Sequence, residues 1–403
     1  MSLRKLSVAV AQAMGATTGA HAQVSDGVVK IGVLNDQSSL YADVGGPGSV
    51  VAAKMAVDDY IKATKSKLKV EIVSADHQNK PDVGSQIARQ WFDVDHVDAI
   101  VDIPNSGVAL AVSAVAREKG KANLNTGAAS SDLTGKACSP NTVHWLYDTW
   151  NLAHGTGGAI VKTGGDTWFF LTSDYAFGHA LERDTSEVVK ANGGKVLGAV
   201  RHPINTQDFS SFLLQAQASK AKVIGLANAG ADTTNSIKQA AEFGIVKGGQ
   251  SLAGLLVFLS DVHALGLQTA QGLIFTETFY WDLNDQTRAW SKRFAAANGG
   301  KYPTMDHAGV YAVILHYLKS VDAIKSDDGT KAVAEMKKLP TDDPLFGKGT
   351  IRADGRKIHP AYLFEVKKPS ESKGPYDYYK LRATIPAEQA FRPLSEGGCP
   401  LVK

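Results

Sequence analysis

Three short stretches place hydroxyl-bearing and small residues where a carboxylate could be held. They are Gln37-Ser38-Ser39-Leu40-Tyr41, Asn105-Ser106-Gly107 and Ala128-Ala129-Ser130-Ser131. Each follows a β-branched run and precedes a helical pattern. In an open α/β sheet that is the carboxyl end of a strand, where loops and helix N-termini present N–H groups to a ligand. Hydroxyls and N–H groups in such a setting hold anions well. Serine also caps helices routinely, so one such loop would say little. Three at matching positions in one half of the chain point to an anion-binding wall. His77, directly after a strand end, is the histidine best placed to touch a ligand.

Motifs for covalent chemistry are missing. The chain has no GxxxxGK[ST], HExxH or GxSxG, which leaves out the usual phosphate loop, zinc helix and hydrolase elbow. Gly45-Gly46-Pro47-Gly48 opens a helix after the first strand, but it lacks the GxGxxG spacing of a dinucleotide site. Asp76-His77 resembles half a dyad, and no nucleophile or third partner can be named beside it. Neither Cys138 nor Cys399 has a CxxC neighbour or a histidine at metal spacing. We therefore expect no catalytic residue, no cofactor and no metal: a binding protein and not an enzyme.

The elements that must carry these loops alternate. Strand candidates are residues 28–34, 68–75, 98–103 and 121–126, with helical patterns at 48–61, 82–92 and 108–118. After about residue 147 the pattern restarts, with strands at 167–173, 195–200, 221–227 and 252–258 and helices at 178–191, 208–219 and 232–243. Alternation at this spacing gives parallel sheets covered by helices on both faces. Two units of similar size predict an α/β chain of two doubly wound parallel-sheet lobes. Helices at 286–298, 308–324 and 330–338 follow, and Ala353-Asp354-Gly355 marks a hairpin turn. If those helices complete the first lobe and the hairpin the second, the chain crosses three times. The expected division is 27–146 plus 279–340 for the first lobe and 147–278 plus 341–403 for the second.

Composition sets the setting. The 403 residues are 44% hydrophobic and 21% charged, with 43 Lys+Arg against 40 Asp+Glu and no dense basic block. That is ordinary for a globular chain and argues against a nucleic-acid partner. No apolar run is long enough to cross a membrane. Residues 1–22 read as a signal peptide, with Arg4 and Lys5 before an Ala/Val-rich stretch and Ala20-His21-Ala22 as the cleavage pattern. The alternative is an amphipathic first helix. Export to an oxidising compartment would favour a Cys138–Cys399 bridge over two separate buried cysteines.

Taken in order, KIGVLNDQSSLYADVGGPG, AAKMAVDDY, VDAIVDIPNSGVALAVSAVA, GAASSDLT, SDYAFGHALERD and IKQAAEFG resemble the branched-chain amino acid (Leu/Ile/Val) receptors, periplasmic solute-binding proteins of ABC importers. The likeness spans residues 27 to about 390. It implies a type I periplasmic binding fold with a three-crossover hinge, a ligand in the cleft, a monomer, and permease subunits as partners. It also implies that Ser106, Ala128 and Ser130 hold the ligand carboxylate and that Tyr175 closes over it from the second lobe. Ser39, Tyr41 and His77 would line the first side.

One departure bears on the ligand. The acidic residue that pairs with a ligand ammonium in such receptors is not found in the stretch 253–258, and Asn228-Ala229 replaces a second-lobe tyrosine. A buried ammonium without a partner costs several kcal/mol. The expected ligand is thus a small carboxylate without an amino group, and nearby aromatic residues suit an aromatic acid. The alternative is an amino-acid receptor in which Asp232 or Asp261 supplies the missing charge.

Overall fold

The computed structural model describes residues 24–402, so the expected signal peptide lies outside the described residues. The first lobe begins with β1 (Val29–Asn35), α1 (Gly46–Thr64), β2 (Val70–Asp76), α2 (Pro81–Asp93), β3 (Ala99–Asp102), α3 (Ser106–Lys119), β4 (Ala122–Asn125) and β5 (Thr142–His144). The strands form one parallel sheet in the order β2-β1-β3-β4-β5. Strands β3 and β4 are buried at every residue, as a sheet covered on both faces requires. Gly32 in β1 makes room for α2, because a Cβ there would fall 2.3 Å from the Trp91 ring. Asn105 caps α3, its Oδ1 accepting from Gly107 and Val108 N–H.

The second lobe starts with α4 (Thr149–Leu152), which runs through a π-helical turn into α5 (Gly158–Lys162). Then come β6 (Thr167–Ser173), α6 (Ala176–Ala191), β7 (Lys195–His202), α7 (Ser210–Ala218), β8 (Val223–Ala227), α8 (Ala231–Glu242), β9 (Ser251–Gly254), α9 (Leu259–Leu265), α10 (Leu267–Ala270) and β10 (Ile274–Glu277). Strands β7-β6-β8-β9 make the second parallel sheet. The run expected as a strand over 252–258 leaves the sheet after Gly254.

The chain then returns to the first lobe. It adds α11 (Asp285–Ala297), α12 (Met305–Ile324), α13 (Gly329–Lys338), β11 (Thr341–Asp343), β12 (Gly347–Ile351) and β13 (Lys357–Ile358). Helix α12 packs along α1, where Tyr311 donates to Asp59 and Tyr60 to Asp322. The final pair, β14 (Ala361–Val366) and β15 (Tyr379–Ile385), joins β10 in an antiparallel sheet of the second lobe.

Within residues 341–358, β12–β13 form a hairpin packed on α13, and Arg356 bridges His144 at the end of β5. From this packing we propose a third crossing at 359–360. Arg356 is fully buried there. Its guanidinium donates to the carbonyls of His144, Leu146 and Tyr147, pairs with Asp148 Oδ2 at 3.2 Å and lies over the Phe391 ring. Two of the three crossovers are thus tied by one side chain.

The tail also returns to the first lobe, where Cys399 is bonded to Cys138. Arg392 donates to Ser131 O at 3.0 Å from the same tail. The bridge closes a loop with a sequence separation of 261. Replacing both cysteines with alanine is expected to lower the unfolding free energy by about 2–5 kcal/mol, read from the urea midpoint. An unchanged midpoint would mean that the noncovalent tail contacts hold this loop unaided.

Candidate ligand-binding cleft

Between the lobes, which meet in this structure, lies a narrow cavity of about 10 Å3, room for a single water. Tyr41, Val44, Pro104, Gly127, Ala129 and Tyr147 line it from the first lobe and crossover. Tyr175, Phe177, Ala229, Leu256 and Phe258 line it from the second. A wider groove, about 500 Å3, opens on the far side of the 42–48 turn beside Asp43, Lys301 and His263. That groove carries charged side chains. The smaller cavity is walled by aromatic side chains of both lobes, so it is the candidate site.

The first wall is set by Asp36. Its carboxylate accepts from the N–H groups of Ser38, Ser39 and Tyr41, from Ser39 Oγ and from Asn79 Nδ2. Although burial works against the charge, the bonds from Tyr41, Asn79 and Ser39 hold this carboxyl below its ordinary range. An aspartate bonding backbone N–H groups two to five residues on is turn chemistry, and it aims Tyr41 at the cavity.

The second wall comes from the ends of β6 and β8. Tyr175 precedes α6 and Phe177 lies in its first turn, while Ala229 sits just before α8. The hydroxyls of Tyr41 and Tyr175 hydrogen-bond across the cleft. Beside them Ala231 N–H donates to Leu40 O at 3.3 Å. Gly230 permits that approach, having φ +59 and a Cβ position 2.6 Å from Leu40 O. Burial pushes the pKa of Tyr41, Tyr147 and Tyr175 above the ordinary tyrosine value. All three are neutral hydroxyls, able to donate.

The expected residues divide. Tyr41 and Tyr175 line the cavity. Ser106, Ala128 and Ser130 are fully buried one layer behind it, with Ser106 Oγ accepting Ser130 N–H at 3.1 Å. Their neighbours Pro104, Gly127 and Ala129 form the surface. Ser39 is exposed and bound to Asp36. His77 is buried, held by burial at about 4 and hence neutral, and its Nδ1 accepts Asn79 N–H. Asn228 lies in the second-lobe interior, where it accepts from Thr233 Oγ1 at 2.8 Å.

Both candidate acids are engaged elsewhere. Asp232 accepts from Asn205 and Thr206 N–H at 3.1 and 2.9 Å. Asp261 accepts from Phe258 N–H at 2.9 Å. Burial raises each to about 7. Neither lines the cavity.

Residues 28–374 match the family model described as periplasmic binding protein. The chain belongs to the periplasmic binding protein family. This periplasmic binding protein is 25% identical over 361 residues to "Leu/Ile/Val-binding protein homolog 6" of Brucella melitensis, covering 85% of this chain and 89% of that one. A solved periplasmic binding protein from Burkholderia mallei is 53% identical, with a TM-score of 0.90 over 94% of this chain and 100% of the other. A branched chain amino acid ABC transporter periplasmic ligand-binding protein from Burkholderia xenovorans is 43% identical, with a TM-score of 0.81 over 93% and 100%. A Rhodopseudomonas palustris ABC transporter solute-binding protein in complex with benzoate shares the fold, at 21% identity and a TM-score of 0.78 over 90% and 97%. Fold and family are those of transport-associated solute-binding proteins.

Tyr147, Phe177 and Asp36 were not legible as site residues. Tyr147 lies in the aromatic run 145–150 between elements, and only the fold shows that it donates to Gly127 O at 2.7 Å in the wall. Asp36 had a local signal, an aspartate followed by Gln-Ser-Ser at a strand end.

Proposed function

We propose that the protein is the periplasmic solute receptor of an ABC importer and that its cleft closes on a small aromatic carboxylate lacking an amino group. One observation carries the ligand class: the cavity wall is aromatic and apolar and contains no acidic side chain. An ammonium there would lose its hydration without gaining a counter-charge. A carboxylate meets donors instead. Thr126 and Gly127 N–H are bonded to Asp102 O and Ser130 N–H to Ser106 Oγ, which leaves the N–H of Ala129, on the cavity wall, without a partner among the described residues. Of the Tyr41 and Tyr175 hydroxyls, which share one bond, the one that accepts keeps its own proton to donate, and the rings would stack on a planar ligand. Closure without chemistry follows, because a ligand touching both lobes shifts the population toward the closed state. Permease subunits would be the partners of that state.

A second reading has its own support. The Burkholderia xenovorans relative is described as a branched chain amino acid protein, and Asp232 or Asp261 would have to turn toward the cleft to serve an amino acid. A thermal-shift screen on protein unfolded and refolded to remove carried-over ligand separates the two. Benzoate, 4-hydroxybenzoate and phenylacetate would be paired with phenylalanine, leucine and valine. Ligand at about 100 times its dissociation constant stabilises by roughly 2.7 kcal/mol. We expect shifts with the acids alone; shifts with the amino acids alone would overturn the proposal.

A further inference from the structure

Behind the cleft wall, at the end of β3, the first lobe buries two carboxyl groups together. Asp102 and Asp306 are both fully buried. They converge beside Gly45, where a Cβ would fall 2.7 Å from Asp306 Oδ2 and 3.0 Å from both Asp102 Oδ2 and Ser49 Oγ. Asn35 Nδ2 donates to Asp102 Oδ2 at 2.8 Å. Asp306 Oδ1 and Oδ2 and Asp102 Oδ1 have no conventional donor, and Ser49 Oγ and Thr126 Oγ1 are likewise buried without a partner. The surrounding side chains are Asn35, Ser49, Thr126 and neutral aromatics. Tyr147 faces the pair from the first crossover as an un-ionised hydroxyl. His307, next on α12, is neutral, with Nε2 on Gly45 O and Nδ1 accepting Thr304 N–H. No Lys or Arg contributes to the charge balance of either carboxyl.

Two buried carboxylates in contact, with no cation, cannot both stay ionised. A single proton between them converts repulsion into a short charge-assisted O–H···O bond. Burial, and then the Asp102 charge, favours the proton on Asp306, while Asp306 itself, the nearby Ser49 hydroxyl and the bond from Asn35 favour the charge on Asp102. The placement makes this more than a core detail. Asp102 O accepts from both Thr126 and Gly127 N–H at 3.1 Å. A Cβ on Gly127 would lie 3.0 Å from Asp102 Oδ1. Asp102 and Ile103 themselves hold φ +85 and +62, a strained backbone that only surrounding contacts maintain. The pair therefore braces the Gly127 side of the cavity and the Gly45 turn against α12.

We propose that Asp306 and Asp102 share one proton, and that this carboxylic acid–carboxylate bond is the positioning element of the first-lobe cleft wall. Losing the proton to solvent would leave two repelling carboxylates and part the Gly127 loop from the Gly45 turn. A folded-state group that keeps its proton contributes stability at low pH and loses it as pH rises.

The test uses the full chain without ligand, so it reads independently of what the cleft binds. Thermal midpoints would be followed from pH 6 to 9.5 for the wild type, Asp306→Asn, Asp102→Asn and Asp306→Ala. Hydrogen exchange of residues 122–133 would be compared between wild type and Asp306→Asn at each pH. We expect Asp306→Asn to be at least as stable as the wild type at pH 6, because the unfolded wild-type carboxyl is already ionised there, and to escape a further decline of about 5 °C or more toward pH 9.5. Asp306→Ala should fall at every pH, and residues 122–133 should exchange faster in the wild type at pH 9.5 only. Should Asp306→Asn not fold, Asp102→Asn must show the flattened profile. Parallel pH profiles overturn the proposal. So does a wild-type midpoint that drops with EDTA, which would make the cluster a cation site.

Discussion

Arg356→Met is expected to lower the unfolding free energy by about 3–5 kcal/mol, the scale for removing one partner of a buried ion pair. The guanidinium is fully buried and donates to the carbonyls of His144, Leu146 and Tyr147 while pairing with Asp148. Methionine keeps much of the volume over the Phe391 ring but supplies no donor. Three carbonyls would then be buried without this donor and the Asp148 carboxylate without its counter-charge, and such groups cost more to orphan than their bonds contribute when made. Asp148 Oδ1 also caps the start of α4, so the damage falls on the first crossover. Urea unfolding followed by circular dichroism reads the loss, with the lower transition used if the lobes unfold separately. A loss under about 1 kcal/mol would mean that water reaches these carbonyls.

Gly230→Ala should reduce ligand affinity about ten- to hundredfold, equivalent to about 1.4–2.8 kcal/mol. Two effects must be separated. The backbone at Gly230, φ +59 and ψ −134, is unfavourable for any side chain, and that strain of about 1–3 kcal/mol is present in the open and closed states alike. It lowers stability and cancels in binding. The added Cβ, however, would sit 2.6 Å from Leu40 O and 3.1 Å from the Tyr41 ring, contacts made only when the lobes meet. The clash therefore acts on closure alone and shifts the population open. Calorimetric titration with whichever compound the screen identifies gives the affinity. Small-angle scattering gives the shape, and the variant should keep the larger radius when ligand is added. Equal affinity in both proteins would show that the bound state does not press Leu40 against Gly230.

Most of the scaffold is readable from periodicity because its strands are Val/Ile-rich and buried on both faces. Val29–Asn35 and Thr167–Ser173 are such runs, and the helices between them carry a regular apolar stripe. Strands β5 and β10, Thr142–His144 and Ile274–Glu277, are too short to establish a period. The Leu255–Phe258 run is apolar because it enters the cleft and the core, not because it extends β9. At the site, composition located the loops but not the side of each loop that faces the cavity. Ser106 and Ser130 bond one another behind the wall while Pro104 and Ala129 face the ligand space. That choice depends on the left-handed backbone at Asp102 and Ile103, which residue type does not announce. The packing of 341–358 is hard to read for a related reason, since the partner of Arg356 lies some two hundred residues earlier in the chain.

The division of the first lobe between two distant stretches also sets an order of assembly. Helix α1 covers its apolar face with α12, and the small sheet that ends at Ile358 closes the same lobe. The early segment up to His144 thus lacks its own cover until nearly the whole chain is present. The second lobe's parallel sheet, by contrast, is drawn from one uninterrupted stretch, Thr167 to Gly254. Short loops close at smaller entropic cost than long ones, and local contacts form sooner. A chain emerging from its N-terminus would therefore nucleate in its middle, leaving the first third extended and threadable until the last helices arrive.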